Sequence, residues 1–269
     1  MSTRTVRPIP KDTASAGKSL FKKATFYRNV GDQLGDLCKD FELSPGQESS
    51  EPHITIPLLF LVTVFQYLES LSDSQAAAAV LKRVDWKYAL HLPLVSLGFD
   101  QEELDEYHRK LLEDPTVNQF LDALLERIRN LFDASARDPK KVNTTTMLHA
   151  VDTLNRFSQI VRAMRLALDE LAIHSPDWIK QTVLPHWFQR YSGSGTGGKT
   201  QEAPEKREAL ALAVGEDGFF LLDALAKEGA PPEARGLPEV EYLRLVWSQQ
   251  FERIDGQVRW RTSPHRDHA

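Results

Sequence analysis

Residues 57–83 read PLLFLVTVFQYLESLSDSQAAAAVLKR, and this stretch decides the fold. Pro57 sits where a first-turn proline is tolerated, because the first N–H groups of a helix have no intrahelical partner. Leu58, Leu59, Leu61, Val62, Val64, Phe65 and Leu68 then cover every side of the segment, which predicts a helix buried all round. Ser72 is an N-cap candidate for a second, shorter helix through Ala76 to Ala79, Val80 and Leu81, ending in Lys82 and Arg83. Helix, three-residue turn and helix in succession make a helix-turn-helix-like segment.

Working outward, Trp86 to Leu92 is a short apolar stretch cut by Pro93, and two helices are predicted at 100–113 and 116–133. In the second, Phe120, Leu121, Leu124, Ile128 and Leu131 recur at helical spacing. Residues 26–133 thus read as one small helical domain. Ahead of it, residues 1–25 hold six Lys/Arg and one Asp with no following apolar run, and read as a flexible basic arm rather than an export signal. Behind it, Ala134 to Pro139 is a polar connector, the predicted domain boundary.

Lys141 to Thr146 is threonine-rich and reads as a short strand. Met147, Val151, Leu154, Phe157, Val161, Met164, Leu168 and Leu171 follow at spacings of three and four, predicting a long amphipathic helix over 147–173. Ser192 to Lys199 is mostly Gly and Ser, a surface loop. Helical patterns return at 205–214, 217–227 and 238–250. Phe251 to Ile254 and Val258 to Arg261 flank Asp255-Gly256, a hairpin signal. Residues 263–269 have no core content and read as a disordered tail. Trp86, Tyr88, Trp187 and Trp247 read as core anchors rather than base-stacking platforms.

Composition bounds the function. The chain has 269 residues, 41% of them apolar and 26% charged, enough for one or two globular domains. Its longest charge-free apolar stretch, Ile54 to Leu68, is 15 residues, short of the roughly 20 that a bilayer crossing needs. No membrane partner is expected. Cys38 is the only cysteine, which excludes an internal disulfide and a thiolate metal cluster and suits a reducing, cytoplasmic setting. The net charge is −5, and the arm's +5 leaves residues 26–269 at −10, so any grip on nucleic acid has to be local.

Gly193 to Thr200, GSGTGGKT, matches the phosphate-loop pattern, with Lys199 in the phosphate-binding place. Context argues against it. Leu184 to Tyr191 carries Pro185, His186, Gln189 and Arg190 where a buried strand should lead in, and Pro204 falls where the following helix should run. Lys199 is therefore read as part of a decoy motif, with nucleotide binding kept as a low alternative.

The run from Leu61 to Val80, followed by Arg83-Val-Asp-Trp-Lys-Tyr-Ala-Leu90 and Gly98-Phe-Asp100, resembles the N-terminal domain of bacterial insertion-sequence DDE transposases. The likeness continues through Thr153-Leu-Asn-Arg156, Pro176-Asp-Trp178, Asp217-Gly-Phe219, Leu222-Asp-Ala224, Leu237-Pro-Glu-Val240, Val246-Trp247 and Val258-Arg-Trp260. It implies a mainly α chain: a helical DNA-binding domain, then over 139–262 an incomplete ribonuclease-H-like α/β domain with a long helical insertion.

In that family three carboxylates hold two divalent metals such as magnesium, which activate the attacking oxygen and stabilise the leaving one. The position matching the first acid is Asn143, an amide that keeps the shape of aspartate without its charge. The second and third acids lie beyond the pattern that this sequence covers, and Asp152 reads as a solvated helix residue rather than a substitute. The expectation is a truncated transposase-like protein with no intact catalytic residue and no metal site. It binds element-end DNA, self-associates or pairs with an intact transposase, and lies in the bacterial cytoplasm at the nucleoid. Gln75 is the candidate to read an adenine edge, and Lys82, Arg83 and Lys87 the candidates to grip phosphates. Lys11, Lys18, Lys22 and Lys23 on the arm are weaker candidates. The reading from another class is a protein–protein module associating through helix 147–173.

Overall fold

The computed structural model describes residues 6–21, 25–39, 56–113, 115–129, 131, 143–191 and 204–263. The chain is mainly α and divides into two compact units, Met1–Asp152 and Thr153–Ala269. Among the described residues, no helix is long and apolar enough to cross a membrane.

The first unit contains α1 (Lys11–Leu20), α2 (Phe26–Leu37), α3 (Ile56–Glu69), α4 (Asp73–Lys82), α5 (Val84–Ala89), α6 (Gln101–Glu113) and α7 (Pro115–Arg129). As its all-round apolar pattern predicts, α3 is the core: every residue from Leu58 to Phe65 is buried. Each of its large side chains contributes about 1.5–3 kcal/mol by leaving water. Phe65 packs edge-on to Trp86 of α5 and Tyr27 of α2, with ring centroids 5.1 and 4.9 Å apart.

The expected basic arm is a helix in its described part. Residues 11–20 form α1, which lies against α5 because Thr13 and Gly17 are small enough to bury there. Lys22 and Lys23 lie outside the described residues.

The second unit contains most of α8 (Thr144–His174), then α9 (Pro176–Thr182), α10 (Pro185–Tyr191), α11 (Pro204–Ala226), α12 (Pro232–Arg235), α13 (Pro238–Gln250) and a hairpin of β1 (Phe251–Ile254) and β2 (Gln257–Trp260). The hairpin is as expected: antiparallel, with Phe251 opposite Trp260, and with Asp255 at φ 52° and Gly256 at φ 79°, the left-handed pair a two-residue turn requires. Trp187 and Trp247 are buried anchors of this unit, as Trp86 and Tyr88 are of the first.

Three boundaries differ from the reading of the sequence. The division between units falls inside α8 rather than at 134–139, because Met147 and Leu148 join the first core and Phe157 onward join the second. No strand precedes α8 among the described residues. Asn143 is its N-cap, and the Asn143 carboxamide oxygen accepts the N–H of Thr146 at 2.8 Å. The Thr144 N–H donates to Asp122 Oδ1 of α7 at 2.9 Å, and these two bonds, one local and one from a neighbouring helix, override the β-preference of the threonine run. Finally, 204–226 is one helix, not two. Gly215 and Gly218 are not breaks but contact surfaces, since a Cβ there would lie 2.6 Å from the Phe251 ring and 2.1 Å from the Trp247 ring.

Candidate nucleic-acid interface

The helix-turn-helix-like segment is present as α3, the turn Ser70-Leu71-Ser72, and α4. Ser70 has φ 56°, the left-handed conformation that reverses the chain at the end of α3, and the Leu71 N–H returns to the Gln66 carbonyl at 3.0 Å. Gln75 makes the return bond of a capping box, its Oε1 accepting the Ser72 N–H at 2.9 Å.

Beneath the turn lies a buried polar network. Asp73 accepts from Gln66 Nε2 at 2.7 Å and sits 3.2 Å from His108 Nδ1, while His108 Nε2 is 2.8 Å from Thr63 Oγ1. Three helices, α3, α4 and α6, are thereby tied at one point, and the start of α4 is held fixed.

Of the four residues expected to meet a duplex, one faces water. Lys82 is exposed at the end of α4. Gln75 is half-buried and occupied by the capping box. Arg83 is held by three acidic oxygens: its guanidinium donates to Glu69 and, through Nε at 3.0 Å and Nη2 at 2.6 Å, to Asp85. It also stacks over Tyr27 and Trp86, 5.3 and 5.2 Å from their ring centroids. Lys87 is 3% exposed, and its ammonium donates to the Leu94 and Ser96 carbonyls. Burial draws its pKa below the usual lysine range, opposed by nearby Asp12. Gln75, Arg83 and Lys87, expected to meet a duplex, are thus each engaged by partners within the first unit. Their polar partners lie 2 to 14 residues away in sequence, and apart from the Ser72–Gln75 capping box the hydrophobic period gives no hint of them.

The outward side of α4 consists of Ser74, Ala77, Ala78, Leu81 and Lys82, all exposed or half-buried, and its one acid, Asp73, is buried. In an acidic chain this is a helix face with three small residues, the exposed apolar Leu81, a cation and no exposed carboxylate. A second basic stretch, outside the segment singled out above, is on α1, where Lys11, Ser15 and Lys18 are exposed. Their spacing of four and three is legible in the sequence, once residues 11–20 are taken as helix rather than arm.

Elsewhere the candidates disperse. Asn143 is exposed and its amide serves the α8 cap. Among the described residues no three His, Cys, Asp or Glu side chains gather as a cation site needs. The Asn143 amide is neutral and its oxygen already accepts a backbone N–H, which makes it a weak ligand for a hard divalent ion. The Gly193–Thr200 motif with Lys199 lies outside the described residues. Of the α8 stripe, Met147 belongs to the first core and Phe157, Val161, Met164 and Leu171 to the second; Val151 and Leu154 are also buried, and Leu168 is half-buried against the second core.

In the second unit, Asp217 is buried and accepts from Arg190 and, at 2.7 Å, from the Tyr191 hydroxyl, with His186 Nε2 at 3.7 Å. Burial first, and then the Asp217 charge, raises the Tyr191 pKa well above the ordinary phenol range. Arg156 is also buried, donating to Gln250 Oε1 at 2.8 Å and to the Arg261 and Thr262 carbonyls, and so fastens the end of the hairpin to α8. Both clusters are closed on themselves and read as fasteners of the helices around them. Comparison with protein-family models, with curated proteins and with solved structures gives no match to this chain.

Proposed function

We propose that this chain is a transposase-like DNA-binding protein whose first unit docks α4 against a duplex, with Lys82 on a phosphate. The observation that carries the reading is the α3–turn–α4 arrangement with left-handed Ser70, its second helix fixed from below by the Asp73–His108 network and bearing no exposed acid outward. A helix held in that way can enter a major groove without paying to order itself, and small outward residues allow close approach. In this reading Gln75, Arg83 and Lys87 position α4 and its neighbours rather than touch DNA.

The resemblance to insertion-sequence transposases supplies the target class, element-end DNA in the bacterial cytoplasm, with an intact transposase as a second partner. The resemblance also implies a ribonuclease-H-like domain over 139–262; the described residues there form helices and one two-stranded hairpin, with a helix cap in place of the strand expected ahead of α8. No cleavage step is assigned, because the residue at the first acid position is a neutral cap.

The test is anisotropy of a labelled mixed-sequence duplex with the full chain across a salt series. Expected is an affinity falling linearly in log–log form, with a slope shallower by about 0.9 when Lys82→Ala removes one phosphate contact. Absence of any duplex affinity at about 50 mM salt, where phosphate contacts are strongest, refutes the reading.

A further inference from the structure

We propose that α1 is a second duplex-contacting element, with Lys11, Ser15 and Lys18 lying along the DNA backbone as one stripe. The inference rests on the reading that the first unit binds DNA, and adds a surface outside its helix-turn-helix segment.

The positions 11, 15 and 18 fall on one side of a helix, and all three are exposed. The opposite side is anchored at several points. Thr13 is fully buried and donates from Oγ1 to the Leu92 carbonyl at 2.7 Å. Gly17 meets the ring of Tyr88 so closely that a Cβ there would lie 2.4 Å from Cδ2. Phe21, just past α1, stands edge-on to the same ring at 6.3 Å. A helix of 10 residues is marginal alone in water, and these contacts are what make it a fixed surface.

The one acid of α1, Asp12, is exposed beside Lys11, so Lys11, Asp12 and Lys18 together leave the helix with a net charge of +1. The Asp12 carboxylate accepts the Leu94 N–H at 3.1 Å, and its pKa is lowered by the backbone N–H groups of Thr13 and Leu94. The carboxylate is thus ionised and tied to the loop after α5, beside the line of Lys11, Ser15 and Lys18 rather than within it.

The contacts run in opposite chain directions: Asp12 to Leu94, Thr13 to Leu92, Gly17 to Tyr88. Successive residues of α1 thus run from the loop after α5 back to Tyr88 near the end of α5. Lys11 and Lys18 are about 10 Å apart along the helix axis at 1.5 Å per residue. With their long side chains the two ammonium groups can therefore reach separate phosphates of a single backbone, with the Ser15 hydroxyl between them. The stripe itself has no apolar residue with which to enter a lipid surface, which favours a nucleic acid over a membrane.

The experiment compares the full chain with the double variant Lys11→Ala/Lys18→Ala in the same duplex salt series. Both side chains are exposed, so an unchanged circular dichroism spectrum and melting temperature are expected. Loss of two phosphate contacts should make the log–log slope shallower by about 1.8 and weaken binding at 0.1 M salt by roughly ten- to a hundred-fold. Lys11→Arg/Lys18→Arg should restore both. If the wild-type chain binds duplex and the double variant keeps its slope and affinity, α1 is not a contact and the proposal fails while the DNA reading stands. If the wild-type chain shows no duplex affinity, the DNA reading fails and takes this proposal with it. Tighter wild-type binding to phosphatidylserine vesicles than to duplex, lost in the double variant, overturns it in favour of a lipid surface.

Discussion

Replacing Gly31 by alanine is expected to destabilise the first unit, although the same exchange one turn later in the same helix should stabilise it. Tyr88 lies between two glycines. On the α2 side, a Cβ at Gly31 would fall 2.7 and 2.9 Å from ring atoms Cδ1 and Cε1 and 2.8 Å from the Tyr88 carbonyl oxygen. Carbon–carbon contacts are comfortable at about 3.5–4.0 Å, so something must move. The ring cannot retreat toward α1, because Gly17 already admits it without room for a Cβ, and its hydroxyl is tied to Asp32 Oδ1 at 2.6 Å. The carbonyl belongs to the α5 backbone and cannot rotate away.

An overpacked site of this kind costs about 1–3 kcal/mol, and with backbone involved the upper end applies. The helix preference of alanine over glycine returns about 1 kcal/mol, leaving a net loss of about 2. Gly35 has nothing within 4 Å of its would-be Cβ, so Gly35→Ala should keep the whole propensity gain of about 0.5–1 kcal/mol. Hydrogen exchange of peptides from 26–37 and 84–92 reads the difference locally. Gly31→Ala should raise their exchange rates about 30-fold and Gly35→Ala should lower them about threefold. Slower exchange in both variants would refute the account of Tyr88 as a wedge between two glycine-lined helices.

Two further outcomes follow from buried groups. His108→Leu removes the ring that meets Asp73 and Thr63, takes one hydrogen-bond partner from each, and should cost about 1–3 kcal/mol in urea unfolding; no measurable loss would show that the network does not fasten α4. Burial pushes the Cys38 thiol up to about 12 from its ordinary value of 9.0. The unfolded thiol ionises first, so this contribution is constant below about pH 9 and stability should fall as pH rises from there toward 12, a slope that Cys38→Ala abolishes. Rapid modification of Cys38 by a thiol reagent in the folded chain at pH 8 would contradict that burial.

The character of the chain as a set of helices, the buried α3, the short turn before α4 and the Asp255-Gly256 hairpin were legible in the sequence. Each is a local matter: apolar residues on all sides of one segment, a capping serine, a turn that demands left-handed residues. What tertiary structure alone decided is which polar groups are spent. Arg83 and Lys87 look like surface cations by type, and it is Glu69, Asp85 and the Leu94 and Ser96 carbonyls that consume them. Asn143 looks like a failed metal ligand and is a cap, because a helix start formed around it. Conversely, Lys11 and Lys18 belong to a stretch that reads as loose arm, and only Tyr88, whose ring accepts Gly17, and Leu92, whose carbonyl receives the Thr13 hydroxyl, make that stretch a surface. Propensity and period report what a segment prefers by itself, whereas a charge is free or bound according to neighbours that chain folding brings from far along the sequence.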